Sequence, residues 1–447
     1  MTQLPELFEI RMREELGADS EPFFHSLRQP APTSIRMNPS KWKVPDLPRI
    51  GWTEFGYYLA ERPSFTLDPL FHAGCYYVQE ASSMLVEQAV KQCLTLADPL
   101  IALDLCAAPG GKSTHLLSLL SNQSLLVSNE VIRSRASVLA ENIQKWGSGN
   151  VVLSNSDPQH IGQLEGFFDL MVVDAPCSGE GLFRKDPQAM SEWSEQSVAL
   201  CAQRQQRIIA DVWPALKENG ILIYSTCTYN RLENEENLRW LATHHEVEFV
   251  SLMLDQSWGI QESKEGKVMG YRCYPHRLTG EGFFMAVIRK CEPQAPRTFK
   301  NKMNLPLASK KTKEQLADWL LQGTRELIQL DDLVIAVPQQ YFHEINVLSS
   351  QLHTVLRGTA IATEKQNKYV PEHALALSTQ LNREHFLQVN LTLEESLAYL
   401  RKEPVNIGEG LKGFGLVTHQ QVPLGWANFL GNRINNLYPA PWRILKK

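Results

Sequence analysis

The stretch IALDLCAAPGGKS, residues 101–113, passes from an apolar run into a glycine turn and then into a helical pattern. We predict a buried strand at Ile101–Leu105 and a helix at Lys112–Leu120. Gly110 and Gly111 let the backbone approach a ligand, and the start of the helix offers free N–H groups to it. A strand, a glycine turn and a helix in this order predict a nucleotide-binding α/β fold.

The same alternation continues from about residue 65 to residue 291. The other predicted elements are the strands Leu125–Ser128, Val151–Leu153, Leu170–Val173, Ile221–Tyr224 and Phe283–Ile288 and the helices Arg133–Trp146 and Glu195–Trp213. Short apolar strands that alternate with helices form βαβ units around a mostly parallel sheet. We therefore expect one α/β domain here, with smaller domains on either side.

Composition limits the class of protein. The 447 residues exceed one ordinary domain, and 43% hydrophobic against 21% charged residues indicates packed globular domains. The net charge of −5 does not indicate a basic nucleic-acid-binding protein, so an RNA or DNA surface has to be a local patch. One candidate, or else a solvated linker, contains Arg297, Lys300, Lys302, Lys310, Lys311 and Lys313.

The eight cysteines are too few and too scattered for a disulfide framework, so we expect free thiols in a cytoplasmic protein. The first residues lack the regions of a signal peptide, and no apolar run approaches the ~20 residues that span a bilayer. We therefore predict no membrane partner. We also predict no metal partner, because no zinc-type spacing joins Cys75, Cys93, Cys106, Cys201, Cys273 and Cys291.

The acids after the next two strands suit a nucleotide cofactor. Glu130 lies twenty positions past Gly110, where such folds place the acceptor for a ribose hydroxyl. Asp157 follows the third strand, where it would accept from an adenine amino group. The alternative is that both acids cap the following helices. A nucleoside triphosphate is disfavoured because the P-loop glycine five positions before Gly111 is replaced by Cys106.

Two cysteines follow predicted strands of this domain. Cys177 follows the strand that ends at Val173, and Cys227 follows the strand that ends at Tyr224. Ligands of open α/β sheets bind outside the carboxyl ends of the strands, so these thiols are expected to meet over one substrate. Taken alone, Cys227 has the alternative interpretation of a buried structural thiol.

Longer motifs resemble the Nop/Sun (Fmu) family of RNA cytosine-5 methyltransferases. They are Cys106–Lys112, Asp174–Gly181, Ser225–Thr228, Val78–Ser83, Tyr274–His276 and Gly282–Phe284. At the C-terminal end, Leu424–Trp426 and Gly431–Pro439 resemble the PUA-like RNA-binding end of the RsmF-type bacterial enzymes, which modify cytosine in 16S rRNA. Relatives often carry Gly-Lys after this tryptophan, whereas here Ala427 and Asn428 remove a positive charge.

The resemblance implies a fold and a domain order. The expected α/β core is Rossmann-like and S-adenosylmethionine-dependent, with a seven-stranded sheet, an N-terminal α/β piece and a C-terminal PUA-like β-barrel region. The expected domains are an N-terminal RNA-recognition domain at 1–64, the catalytic domain at 65–291, a linker at 292–312, an intermediate α/β domain at 313–384 and the PUA-like domain at 385–447.

The resemblance also implies a role for each site residue. Cys227 would attack carbon 6 of cytosine, which makes carbon 5 nucleophilic enough to take the methyl group of S-adenosylmethionine. Cys177 would assist product release, Asp174 would hold the cytosine edge, and the charge of Lys112 would lower a nearby thiol pKa. The cofactor-binding residues would be Cys106, Ala107, Ala108, Pro109, Gly110, Gly111, Lys112, Glu130, Arg135, Asp157 and Asp174. For Arg135 a solvated helix face is the alternative.

The expected partner is 16S rRNA, naked or within the 30S subunit or its precursor, and the expected state is a monomer. We expect Arg184 and Lys185 to contact RNA phosphates, and Trp426 and Trp442 either to stack on bases or to lie in a core. Three other functions remain open: a non-catalytic RNA-binding or ribosome-assembly factor, a tRNA cytosine-5 methyltransferase, and a DNA cytosine-5 methyltransferase in which Cys177 would be the nucleophile.

Overall fold

The structure is a computed structural model that describes residues 4–43, 45–294, 299, 305–366, 368–405, 407 and 410–446. Its N-terminal part contains α1 (Glu6–Leu16), α2 (Ser20–Leu27), β1 (Thr33–Met37), β2 (Gly56–Leu59), α3 (Pro69–His72) and β3 (Tyr76–Val78). The three strands form an antiparallel sheet in the order β2-β1-β3. The small sheet thus takes its last strand from beyond residue 64, the predicted end of the first domain.

The central part carries the predicted βα alternation. Its elements are α4 (Val86–Cys93), β4 (Ile101–Asp104), α5 (Gly111–Leu119), β5 (Leu125–Asn129), α6 (Arg133–Trp146), β6 (Val151–Ser154), α7 (Pro158–Gly162), β7 (Phe168–Asp174), α8 (Pro187–Glu192), α9 (Glu195–Val212), β8 (Leu216–Thr226), α10 (Glu235–His244), β9 (Val247–Phe249), β10 (Gln261–Glu265), β11 (Val268–Cys273) and β12 (Phe283–Lys290).

The C-terminal part contains two further four-stranded sheets. Its elements are α11 (Lys310–Leu316), β13 (Arg325–Leu330), β14 (Leu333–Pro338), α12 (Phe342–Gln351), β15 (Thr354–Arg357), β16 (Thr359–Lys365), β17 (Lys368–Pro371), α13 (His373–Leu377), β18 (Leu387–Leu391), α14 (Leu393–Arg401), β19 (Lys412–His419), β20 (Val422–Leu430) and β21 (Ile434–Asn436). The two sheets have the orders β13-β14-β16-β17 and β18-β19-β20-β21.

The central sheet has ten strands rather than the seven predicted. Its order is β10-β11-β12-β8-β7-β4-β5-β6-β15, and β9 pairs with β12. The five strands from β6 to β8 are parallel, and β12 and β11 continue the sheet antiparallel, which completes the seven. The others join at the rim: β10 as a hairpin with β11, β9 beside β12, and β15 from the C-terminal part beside β6.

Both faces of this sheet are covered, which is why its strands read as continuous apolar runs. Successive residues of a strand face opposite sides. Leu103 packs on the side where Val212 of α9 lies, whereas Ala102 packs on the side where Leu139 of α6 lies. Helices on both sides hold the strands in place, so the loops at their carboxyl ends start from a rigid edge.

The two ends of the chain share one hydrophobic core. Ile35 and Tyr57 of the first sheet pack in the same cluster as Leu400, Leu424 and Ile444 of the C-terminal part. The N-terminal and C-terminal sheets are therefore joined by buried apolar contacts. No helix in the described residues is long and apolar enough to cross a membrane.

A buried ion pair anchors β11 to the segment that follows Cys227. Arg272 Nε donates to Glu235 Oε1 over 2.7 Å, and Arg272 Nη1 donates to the carbonyl of Tyr229 over 2.7 Å. The Arg272 and Glu235 side chains are 8% and 0% exposed. Removing one partner leaves the other charge buried and unpaired, which costs about 3–5 kcal/mol.

We therefore expect Arg272→Ala to lower the free energy of unfolding by about 3–5 kcal/mol, measured from the urea transition that unfolds the central sheet. The matched control is Arg289→Ala, which removes the more exposed pair with Glu248 and is expected to cost at most about 1 kcal/mol. Equal losses in the two variants would contradict the prediction.

Candidate active site

The predicted site residues meet at one edge of the central sheet. The five parallel strands end at Asp104, Asn129, Ser154, Asp174 and Thr226. The chain continues from these ends to Cys106, Glu130, Asp157, Cys177 and Cys227. Strand β4 lies between β5 and β7, which is the point of the sheet where the direction of winding changes. Open α/β sheets bind their ligands in the crevice at such a point.

A cavity of about 420 Å³ opens at this edge. The predicted residues in its wall are Cys106, Ala108, Glu130, Arg135, Asp157, Asp174, Cys177 and Cys227. A smaller cavity of about 170 Å³ lies on the other side of the turn, and its wall includes Ala107, Pro109, Gly111, Lys112 and Asp174. Cys106, Ala108 and Asp174 line both cavities, so the two spaces adjoin at these residues.

The glycine turn has the backbone conformation that the sequence suggests. Gly110 has φ of 118°, in the left-handed region that favours glycine, and α5 begins at the next residue. Arg36 of β1, fully buried, holds this turn: its Nη2 donates to Thr114 Oγ1 over 2.6 Å and to the carbonyl of Gly111 over 3.2 Å. Sequence reasoning missed Arg36, because no local motif links β1 to a turn 75 residues later.

The acid after β5 retains an acceptor inside the cavity wall. Glu130 is 2% exposed, and its Oε1 accepts from the N–H of Ile132 over 2.9 Å. Its Oε2 accepts no hydrogen bond from the described residues, although Arg135 Nη1 lies 3.4 Å away. Arg135 Nη2 donates to the carbonyl of Ala108 over 2.7 Å, so this arginine ties α6 to the glycine turn.

The acid after β6 is more exposed. Asp157 Oδ1 accepts from the N–H of Gln159 over 3.0 Å and so caps α7, which was the alternative interpretation of this residue. It lines the larger cavity at the same time. The carboxylate can therefore cap α7 through Oδ1 and contact a ligand through its second oxygen, Oδ2.

The two thiols are in direct contact. Cys177 Sγ lies 2.9 Å from Cys227 Sγ, and the N–H of Cys227 donates to Cys177 Sγ over 3.3 Å. Both cysteines are free. The contact with Cys227, together with burial, raises the pKa of Cys177 well above its ordinary value. Cys177 is therefore a thiol at neutral pH, and its S–H can donate to the sulfur of Cys227.

Lys112 and Asp174 form an ion pair beside the thiols. Lys112 Nζ lies 2.7 Å from Asp174 Oδ2, and Asp174 Oδ1 accepts from Ser225 Oγ over 2.8 Å. Burial acts to lower the pKa of Lys112, but the Asp174 carboxylate outweighs it and raises that pKa. Lys112 is therefore an ammonium. Contact with Cys227 and burial raise the pKa of Cys177, and the lowering of a thiol pKa by Lys112 stays a prediction.

A second buried acid lies beneath the turn. Asp104 is fully buried, its Oδ2 accepts from Ser113 Oγ over 2.6 Å, and its Oδ1 accepts no hydrogen bond from the described residues. Burial raises its pKa to about 7. Sequence reasoning placed Asp104 inside the predicted strand Ile101–Leu105 and gave it no role, because its burial depends on the packing of α5 over β4.

The structure corrects the RNA contact expected of Arg184 and decides between the two interpretations of Trp426. The Arg184 side chain is 6% exposed, and its Nε donates to Glu281 Oε2 over 3.0 Å, so it supports the loop rather than reaching a phosphate. Trp426 is fully buried and its Nε1 donates to the carbonyl of Glu372, so it is a core residue. Lys185 keeps a partly exposed side chain.

The structure also places Trp442 and part of the predicted basic patch. Trp442 is half-buried against His373, with ring centroids 4.9 Å apart. In the predicted basic patch, Lys310 and Lys311 are exposed on α11, while Arg297, Lys300 and Lys302 lie outside the described residues. Within the described residues, no group of three or more His, Cys, Asp or Glu side chains is arranged to hold a metal ion.

Comparisons with known proteins bear on the whole chain. The family model of the 16S rRNA methyltransferase RsmB/F matches residues 91–289, that of the N-terminal domain of RsmF matches 4–81, and that of the RsmF PUA domain matches 386–444. The ribosomal RNA small subunit methyltransferase F of Vibrio atlanticus is 32% identical over 94% of this chain and 93% of its own length. This chain belongs to the RsmB/F family.

Other relatives agree with membership of the RsmB/F family. The ribosomal RNA small subunit methyltransferase F of Escherichia coli O157:H7 is 33% identical over 97% of this chain and 95% of its own length. A solved methyltransferase homolog from Pyrococcus horikoshii is 29% identical, with a TM-score of 0.55 over 64% of this chain and 95% of that one. The predicted fold class is thereby confirmed, with the central sheet extended to ten strands.

Proposed function

We propose that this RsmB/F-family protein transfers a methyl group from S-adenosylmethionine to carbon 5 of cytosine in 16S rRNA. The observation that carries the proposal is the 2.9 Å contact between Cys177 and Cys227 in the wall of the cavity. A purely RNA-binding protein has no need of two touching thiols beside a glycine turn. The RNA substrate is also consistent with the named activity of the relatives.

The residues of the larger cavity fit S-adenosylmethionine. Glu130 Oε2 is a buried acceptor without a hydrogen-bond donor among the described residues, as a ribose hydroxyl requires. Val131 and Ile132 line the cavity with 56% and 48% of their surface exposed, which suits the face of an adenine ring. Asp157 would accept from the adenine amine. When bound, this cofactor would supply an electrophilic methyl group.

The chain's own residues would carry the remaining steps. The Cys227 thiolate adds to carbon 6 of cytosine, and the electron pair of the 5,6 double bond then makes carbon 5 nucleophilic. The Lys112–Asp174 pair, 2.7 Å between its charged atoms, would hold the ring edge through the Asp174 carboxylate. After methylation, carbon 5 loses its proton to water, the electrons of that C–H bond re-form the double bond, and the Cys227–carbon 6 bond breaks with its electron pair leaving on the sulfur.

Cys177 would act at that last step. Because its thiol is protonated and touches Cys227 Sγ, it can donate a hydrogen bond to the sulfur as negative charge returns there. Hydrogen bonds to a charged acceptor are stronger than neutral ones, so this contact lowers the cost of expelling the thiolate. We accordingly assign attack to Cys227 and assistance of release to Cys177.

The substrate is tested with 16S rRNA from cells that lack this gene. We expect the purified protein to transfer labelled methyl from S-adenosylmethionine to this RNA, naked, in 30S subunits or in a precursor, and bisulfite sequencing to reveal protected cytosines. Transfer to tRNA alone would replace the proposed substrate. Transfer to no RNA would favour an RNA-binding or ribosome-assembly role. We propose that the reaction takes place in the cytoplasm, where ribosomal subunits are assembled, and that the protein acts as a monomer.

A further inference from the structure

Glu233 is a buried acid six residues past Cys227, in the loop between β8 and α10. Its side chain is fully buried. Its Oε2 accepts from the N–H of Ser178 and from Gln205 Nε2, both over 2.9 Å, and its Oε1 accepts from Ser178 Oγ over 2.5 Å. Among the described residues, no lysine, arginine or histidine forms an ion pair with it. A buried carboxylate satisfied only by neutral donors is costly, and such groups cluster at functional sites.

These hydrogen bonds reach both cysteine loops. Ser178 directly follows Cys177, and Thr228 directly follows Cys227. Ser178 Oγ lies 3.0 Å from Thr228 Oγ1, so the two loops are bridged next to the thiols. Gln205 of α9 adds a further tie, because its Nε2 also donates to the carbonyl of Pro176 over 3.0 Å. Glu233 is therefore the acceptor at the centre of a network behind the two sulfurs.

The Cys177 loop depends on this network for its position. Residues 175–179 form neither helix nor strand. The N–H of Ser178 is bonded to Glu233, and the carbonyl of Pro176 to Gln205, so the side chains from α9 and from the Glu233 loop take the place of a regular backbone ladder. A shift of 1 Å between reacting groups can cost on the order of 10²-fold in rate.

We propose that Glu233 is a positioning residue that holds the Cys177 thiol against Cys227. The consequence for catalysis rests on the function proposed above. Loss of Glu233 impairs product release more than attack, because Cys227 directly follows the last residue of β8, whereas Cys177 lies in the irregular loop. Burial raises the pKa of Glu233 to about 7, and the hydrogen bonds from Ser178 and Gln205 offset only part of that rise.

The first test measures the thiols in the free protein and needs no RNA. Diamide oxidises two thiols to a disulfide, taking both hydrogens and two electrons onto its N=N bond, and peptide mapping identifies the Cys177–Cys227 product. We expect Glu233→Ala to slow this pairing at least tenfold. Alkylation of the two cysteines by a small monofunctional reagent should be nearly unchanged, because the thiols remain but their contact is lost.

Two further variants separate positioning from general damage. Glu233→Gln keeps the shape and an acceptor for Ser178, so it should restore most of the pairing rate. Glu236→Ala, on α10 and partly exposed beside Arg239, is the matched control and should behave as the unmodified protein. Pairing that is unchanged in Glu233→Ala would overturn the proposal. So would an equal loss in Glu233→Ala and Glu233→Gln.

The second test follows methyl transfer to 16S rRNA. We expect Glu233→Ala to lower kcat on the order of 10²-fold and to accumulate RNA bound covalently through Cys227, with the affinity for S-adenosylmethionine unchanged. If Glu233→Ala lowered both the affinity for S-adenosylmethionine and the amount of adduct formed, its role would be merely structural and the proposal would be overturned. If the unmodified protein transfers no methyl group, the proposed function fails, and the pairing rates alone decide the role of Glu233.

Discussion

Replacement of Cys227 by alanine will abolish methyl transfer to RNA and remove the covalent enzyme–RNA adduct. Without the thiolate nothing adds to carbon 6, and carbon 5 of cytosine stays too weak a nucleophile to take the methyl group. Removing the attacking group of a covalent enzyme costs at least about 10³-fold in kcat. Incorporation of labelled methyl and a denaturing gel of the enzyme–RNA mixture measure the two effects.

Cys291→Ala is the matched control for this variant, because Cys291 is a free, half-buried cysteine outside both cavities. It should retain full methyl transfer. Cys227→Ala should also keep its affinity for S-adenosylmethionine, since the residues proposed to hold the cofactor follow the other strands. An adduct that persists in Cys227→Ala and disappears in Cys177→Ala would reverse the two roles.

Replacement of Cys177 by alanine will leave attack by Cys227 intact and trap the protein on RNA. The methyl transfer that follows attack draws the reaction forward, whereas expulsion of the thiolate loses the S–H donor that touches its sulfur. The methylated adduct therefore still forms, but it breaks down slowly. We expect a band of RNA-bound protein that survives denaturation, and a yield of product that approaches one methyl group per protein.

Cys177→Ser provides the comparison for this prediction. A serine hydroxyl can still donate a hydrogen bond but is smaller than a thiol, so release should be faster than in Cys177→Ala and slower than in the unmodified protein. Rapid turnover by Cys177→Ala would show that release does not need this thiol. Absence of both adduct and product would mean that Cys177 takes part in attack.

Much of the site could be predicted because its information is local. The run from Ile101 to Ser113 contains a strand, a turn and a helix start within thirteen residues, and the structure has all three there. The two cysteines each follow a strand, and parallel strands bring their carboxyl ends to one edge. Their meeting over one cavity therefore followed from the pattern of strands, although their 2.9 Å contact did not.

What escaped prediction depends on residues far apart in the chain. Arg184 looked like a free cation, but it is paired with Glu281, 97 positions away. For Trp426 a base stack and a core position were both open, the core being the more common place for a tryptophan in a small barrel, and its hydrogen bond to the carbonyl of Glu372 shows that it lies in the core. Strand β15 joins the central sheet beside β6 from about 200 residues further on, and no periodicity in its own sequence indicates which sheet it extends.

The sequence by itself determined the class of fold, the edge of the sheet where chemistry occurs and the residue types gathered there, because each follows from short-range pattern and strand polarity. Only the tertiary structure decided the contact between the thiols, the raised pKa of Cys177 and the position of Glu233 behind both cysteine loops. These depend on burial and on hydrogen bonds between separate segments, whose energies exist only once the segments are packed together.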